Sequence, residues 1–151
     1  MDIDPRGPRF GAAITVAVLA VVLITGSAWL LAAQMLVFAT GALAGLRYAP
    51  YGLVYRRLVR PRLGPPAQRE AEGPPRFAQG VGMVFALGGV LGYAAGAAGI
   101  GMAFTALALV AAFLNAAFDI CLGCQVYLFI QRNLRVRPPP RDRPEKEENP
   151  P

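Results

Sequence analysis

Histidine is absent from this chain of 151 residues, and cysteine occurs only twice, as Cys121 and Cys124. Without histidine, Ser-His-Asp and Cys-His catalysis are excluded, as is attachment of a c-type haem, which needs CxxCH. Two cysteines cannot close a structural zinc site of four Cys/His ligands. Charge is scarce too, at 16% of residues, against roughly 25% in an average soluble domain. No GxxxxGK[ST] phosphate loop is present, so the sequence does not read as an NTPase.

What is present is long apolar runs. No charged residue falls between Phe10 and Leu46, or between Phe77 and Phe118. A bilayer span needs only about 20 apolar residues, and backbone groups in lipid must be satisfied within the segment, which predicts helices. The strict alternation of a membrane barrel is missing. Each run is too long for one span: 37 residues of helix would measure roughly 55 Å against an apolar core of about 30 Å. Thr25-Gly26-Ser27 and the glycines 96, 99 and 101 supply breaks. The prediction is an all-α integral membrane bundle of four transmembrane helices in two hairpins, with spans at 10–25, 28–46, 78–95 and 100–118. One long tilted helix over 10–46 is a poorer fit. A cleaved signal peptide over residues 1–28 is the rival for the first span, but the apolar run continues through Trp29 without a polar mature start.

The net charge of +6 comes from 14 arginines and Lys146. All of them lie in the N-terminal tail (1–9), the segment between hairpins (47–77), or the region from Arg132 onward. None lies in a hairpin turn. By the positive-inside rule those segments face the cytoplasm, with both termini inside. The membrane accounts for the basic balance better than nucleic acid does.

Tyr48, Tyr51 and Tyr55 share one helical face, interleaved with arginines, which predicts a short interfacial helix with tyrosines at the headgroups. Pro61 to Arg76 reads as a flexible connection, and residues 133–151 as a disordered, charged, proline-rich tail. The two hairpins are similar in layout, but no convincing internal sequence repeat is evident. Gly41 with Gly45, and Gly88, Gly92 and Gly96, have the four-residue spacing that lets helices approach closely in lipid. Packing inside the bundle is the plainer use, and a homodimer face the sharper one.

Polar residues in or beside the runs are Gln34, Gln79, Asn115 and Asp119. An acid in a membrane is a functional candidate, although Asp119 lies near the cytoplasmic end of its span, where it can reach water or arginine. Cys121 and Cys124 form a CxxC, spaced to share a disulfide or a soft metal ion. Three readings follow: a redox-active or sulfur-handling dithiol, a soft-metal carrier, or two inert buried cysteines. An unbroken helix would put the cysteines opposite Asn115 and Asp119, so a joint site requires a break, for which Gly123 is the candidate.

Pro61 to Pro66, Pro74 to Gln79, and Asn115-Ala116-Ala117-Phe118 followed by Cys121-Leu122-Gly123-Cys124 resemble a bacterial family of uncharacterised membrane proteins, domain of unknown function 4395. The resemblance spans about Arg6 to Arg132. It implies a thiol or sulfur context, with a thioredoxin-like or sulfurtransferase partner, and a bacterial plasma membrane. The four-helix enzymes that form disulfides with quinones also carry a membrane CxxC. This chain departs from them in having one cysteine pair, placed toward the cytoplasm. The leading expectation is a thiol redox or sulfur-handling protein using Cys121 and Cys124, with Asp119 and Asn115 in support and no cofactor. The runner-up is a non-catalytic structural or transporter subunit packing through its glycines.

Overall fold

The computed structural model describes residues 2–64 and 70–134. The middle of the expected linker, residues 65–69, lies outside them, as does the tail expected over 133–151 except for its first two residues, which are helical instead of disordered.

Helix α1, Arg6–Thr25, turns at Gly26 and Ser27 into α2, Ala28–Ala39, whose last turn widens over Thr40–Ala44. Gly26 takes the left-handed conformation, φ 64°, and the Ser27 hydroxyl accepts from the Leu30 amide to start α2. A short helix, α3, runs over Pro50–Val54 and continues through looser turns to Arg62. Helix α4, Gly73–Ala94, and α5, Ala98–Phe118, are joined by a turn with Gly96 at φ 75°. An elbow at Asp119 to Cys121 leads to α6, Leu122–Leu134. Two short strands, β1 at Asp2–Ile3 and β2 at Glu70–Ala71, pair antiparallel.

Both first helices start earlier than hydropathy indicated, because prolines at their first turns need no amide partner there. The connection expected to be flexible is ordered at both ends, as a helical turn through Arg62 and as β2.

Among the described residues, three helices, α1, α4 and α5, are long and apolar enough to cross a membrane, and Ala28–Ala44 forms a shorter apolar helix. The interior is small and tightly packed. Leu19, Val22, Leu31 and Ala86 are almost fully buried, with Phe38 and Ala108 around them. The outside is apolar: Ile24 is 84% and Trp29 88% exposed. That is the reverse of a water-soluble surface and matches a lipid solvent.

The two halves of the chain make several matching contacts, a structural repeat in outline. Pro8-Arg9-Phe10 opens α1, and Pro75-Arg76-Phe77 opens α4. Phe10 packs on Tyr55 of the α3 segment at 5.8 Å and 45°. Phe77 packs on Tyr127 of α6 at 5.6 Å and 46°. The Arg9 guanidinium donates to the carbonyls of Ala116 and Ala117 at the end of α5, at 3.1 and 3.4 Å. Arg76 donates to those of Ala42 and Leu43 at the end of α2, both at 2.7 Å. Each half therefore closes a helix of the other, and β1 pairs with β2 in a register that is unchanged when the halves exchange. Such reciprocal contacts are those of a pseudo-two-fold pair built from two units of helix, turn, helix and short cap.

The glycines divide by role. A Cβ on Gly92 would lie 2.6 Å from the Gly101 amide nitrogen, and one on Gly88 would meet the Phe104 ring at 2.8 Å. Gly41 lies under Gln79. These three set distances between helices of the same chain. Gly45 and Gly96 instead occupy turns with positive φ, 103° and 75°, where the missing side chain eases the backbone, and a Cβ on Gly45 would also meet Glu72 Oε1 at 2.9 Å. Gly7 and Gly11, spaced like the others, seat Tyr55 and Tyr51 against α1.

Candidate functional site

The cysteines sit where α5 gives way to α6. Helix α5 ends because Asp119 adopts a left-handed conformation, φ 60°, which aspartate tolerates better than most residues. The carbonyls of Leu114 to Ala117 behind it are answered. The Asp119 amide donates to Asn115 and the Ile120 amide to Leu114, while Arg9 takes Ala116 and Ala117. A cation at a helix C-terminus also suits the helix dipole. The break therefore falls at Asp119, not at Gly123. Gly123 lies inside α6, where an added Cβ would be 2.7 Å from both Cα and Cβ of Ala78. Its role is to let α6 lie close against α4.

Cys121 immediately precedes α6, and Cys124 lies in the helix's first turn; the two are joined by a disulfide, with Cα atoms 5.2 Å apart. The Cys124 amide donates to the Cys121 sulfur at 3.2 Å, as a capping side chain would receive it. Both cysteines are half-buried. The elbow rotates the chain enough that Asn115, Asp119, Cys121 and Cys124 all line one cleft of about 630 Å³ between α1, α4, α5 and α6. Asn115 is half-buried and Asp119 exposed at its mouth. The cleft descends along α5 as far as Leu107 and its walls there are apolar, with Phe38 and Phe85 opposite.

The chain belongs to the family described as Domain of unknown function (DUF4395), whose model matches residues 3–132. The match takes in both repeat units and the cysteine pair. No curated protein and no solved structure matches the chain.

Residues of this family member away from the cysteines were only partly legible. Gln34 is buried in the bundle, 1% exposed. Its amide donates to the Thr15 hydroxyl at 3.4 Å and its carbonyl accepts from Tyr51 at 2.6 Å, so a polar group in an apolar interior is satisfied from both sides. This corrects the expected tyrosine face at the headgroups. Tyr48 is exposed beside the Arg47 guanidinium, whereas Tyr51 and Tyr55 turn inward onto α1. The Tyr55 hydroxyl donates to the Asp4 carboxylate at 3.0 Å. Burial first, and that carboxylate second, push the Tyr55 phenol above its ordinary value. Two glycines four apart, at 7 and 11, were the available signal for this docking. Gln79 borders the cysteine cleft and also a second one of about 400 Å³ on the other half.

Proposed function

We propose that this protein is a four-span bacterial plasma-membrane protein that exchanges thiols and disulfides through Cys121 and Cys124. The observation that carries the reading is the seat of the pair: Cys121 caps the first turn of α6, Cys124 follows within hydrogen-bonding reach, and both open onto the cleft. When the bond is reduced, negative charge on the Cys121 sulfur is favoured by the helix N-terminus and the Cys124 amide. Cys121 is then the attacking sulfur and Cys124 the resolving one.

Written with its electrons, the Cys121 thiolate attacks one sulfur of a partner disulfide. A mixed disulfide forms and a partner thiolate leaves. Cys124, losing its proton, attacks the Cys121 sulfur, closes the Cys121–Cys124 bond and releases the second partner thiolate. Two electrons and two protons have passed to the partner, and the reverse order reduces this chain. A thioredoxin-like protein supplies the matching chemistry, and a sulfurtransferase is the related alternative. Asn115 and Asp119 offer polar groups at the cleft beside the reacting sulfurs.

Four spans are favoured by the repeat. Helix α2 is the counterpart of α5, and its last turn is closed by Arg76 as that of α5 is closed by Arg9. With four spans, the arginine-bearing segments share one side, and the positive-inside rule makes it the cytoplasm, together with both termini. Thiol labelling of intact and opened cells tests both parts. We expect labelling only after reduction, from the cytoplasmic side, with loss of function in Cys121→Ala/Cys124→Ala. Cysteines that never react, with full function of the double variant, would remove the redox reading.

A further inference from the structure

The second cleft lies between α1 and α3, in the half without cysteines, and is the repeat's counterpart of the cysteine cleft. Its chemistry differs in a specific way. Aligning Val54-Tyr55 with Val126-Tyr127 sets Ala49 and Gly52 against Cys121 and Cys124. The same alignment sets Arg47 against Asp119 and Arg56 against Leu128, while Arg60 meets Arg132. One unit thus carries its cysteines where the other has Ala49 and Gly52, and the other carries Arg47 and Arg56 where the first has Asp119 and Leu128.

Arg47, Arg56 and Arg60 line this cleft, together with apolar residues that include Val37 and Leu46. Two carboxylates also border it, and both are already engaged. Glu72 accepts from the Leu46 amide at 2.9 Å. Asp4 accepts from the Arg6 amide at 3.0 Å and from Tyr55. Arg56 donates to the Arg47 carbonyl, which fixes its guanidinium beside that residue.

We propose that this cleft binds the phosphate of an anionic phospholipid. Charge complementarity selects an anion, because three arginines line the cleft against two carboxylates, each of which already accepts a hydrogen bond. Guanidinium forks suit phosphate oxygens. The apolar part of the lining suits the start of an acyl chain, and the arginine-bearing segment adjoins helices that are apolar enough to cross a membrane. The proposal rests on the membrane reading and is independent of whether the cysteines react. Free phosphate offers the same oxygens from the cytoplasm, so the test separates the two sources.

The full chain, purified in neutral detergent, is titrated with short-chain phosphatidylglycerol, with phosphatidylcholine and with inorganic phosphate, and bound lipid is read by native mass spectrometry. Phosphatidylglycerol should bind and phosphatidylcholine should not compete. The triple variant Arg47→Gln/Arg56→Gln/Arg60→Gln should bind it about tenfold or more weakly. The control Arg57→Gln/Arg62→Gln/Arg132→Gln removes the same charge outside this cleft and should change binding less than about twofold. Arg60→Gln alone, which breaks no hydrogen bond to Arg47, guards against misfolding of the triple variant and should weaken binding severalfold. Equal losses in both triple variants would reduce the effect to general surface charge and overturn the proposal. So would displacement by inorganic phosphate at matched concentration, which would assign the cleft to a free anion.

Discussion

Replacing Gly92 with alanine is a direct measurement of how closely α4 and α5 are held. The new Cβ would lie 2.6 Å from the Gly101 nitrogen, 3.0 Å from its Cα and 3.2 Å from the Ile100 carbonyl carbon. All three atoms are backbone, so no side chain can swing away. Reaching the 3.4 Å at which ordinary contact begins requires the helices to part locally by about 0.8 Å. Overpacking of this kind costs about 1–3 kcal/mol. Alanine's better helix propensity returns about 0.5–1 kcal/mol. The net loss is about 0–2.5 kcal/mol, or a melting temperature lower by up to about 10 °C, and the gap to a variant that gains the propensity without the clash is about 1–3 kcal/mol. Gly99→Ala provides the control, since nothing lies within 4 Å of its added Cβ and its φ is ordinary. It should melt at or slightly above the parent. Thermal unfolding in one detergent, followed by circular dichroism, compares the two. If Gly92→Ala is as stable as Gly99→Ala, the backbone contact does not exist and the packing argument fails.

Other expectations follow from the same geometry. In the single variants Cys124→Ala and Cys121→Ala, the remaining thiol of the first should alkylate faster at neutral pH, by about tenfold; the opposite order would exchange the attacking and resolving roles. Arg9→Gln should loosen the elbow, lowering stability by about 1 kcal/mol and making the disulfide easier to reduce, whereas Arg76→Gln should match the stability loss and leave reduction unchanged. The Tyr55 phenol, raised in the folded chain, gives stability that is intact below its ordinary value of 10.0 and lost as pH rises beyond it. Absorbance titration should therefore show Tyr55→Phe to be less sensitive to alkali than the parent.

The solvent and the helices were legible because lipid imposes a coarse rule: long uncharged runs and arginine outside them. The repeat was not. Within lipid most apolar side chains are interchangeable, so little beyond Pro-Arg-Phe and Val-Tyr survives in both halves. The spacing also drifts, from 67 between the Pro-Arg-Phe motifs to 72 between the Val-Tyr pairs. Contacts retain what letters lost, as Phe10 on Tyr55 and Phe77 on Tyr127 demonstrate. The cysteine pair was visible as a spacing, but its partners were not. Whether Asn115 and Asp119 share a cleft with it depends on a bend stabilised by Arg9, more than a hundred residues away. Gly123 looked like a hinge because glycine suits both bends and tight packing, and only its neighbour Ala78 distinguishes them.

The crossed arginines have a consequence for biogenesis. During synthesis α2 emerges long before residue 76, so its final carbonyls must wait for α4 to arrive before they are closed. Residue 9, by contrast, is already in place when α5 is made, and the cysteine elbow can be finished as soon as it leaves the ribosome. A fragment ending before α4 would lack its seal, and one starting at α4 would lack the guanidinium that seats its thiols. Neither half is a smaller version of the protein, and coexpressing the two pieces should restore what each alone cannot form.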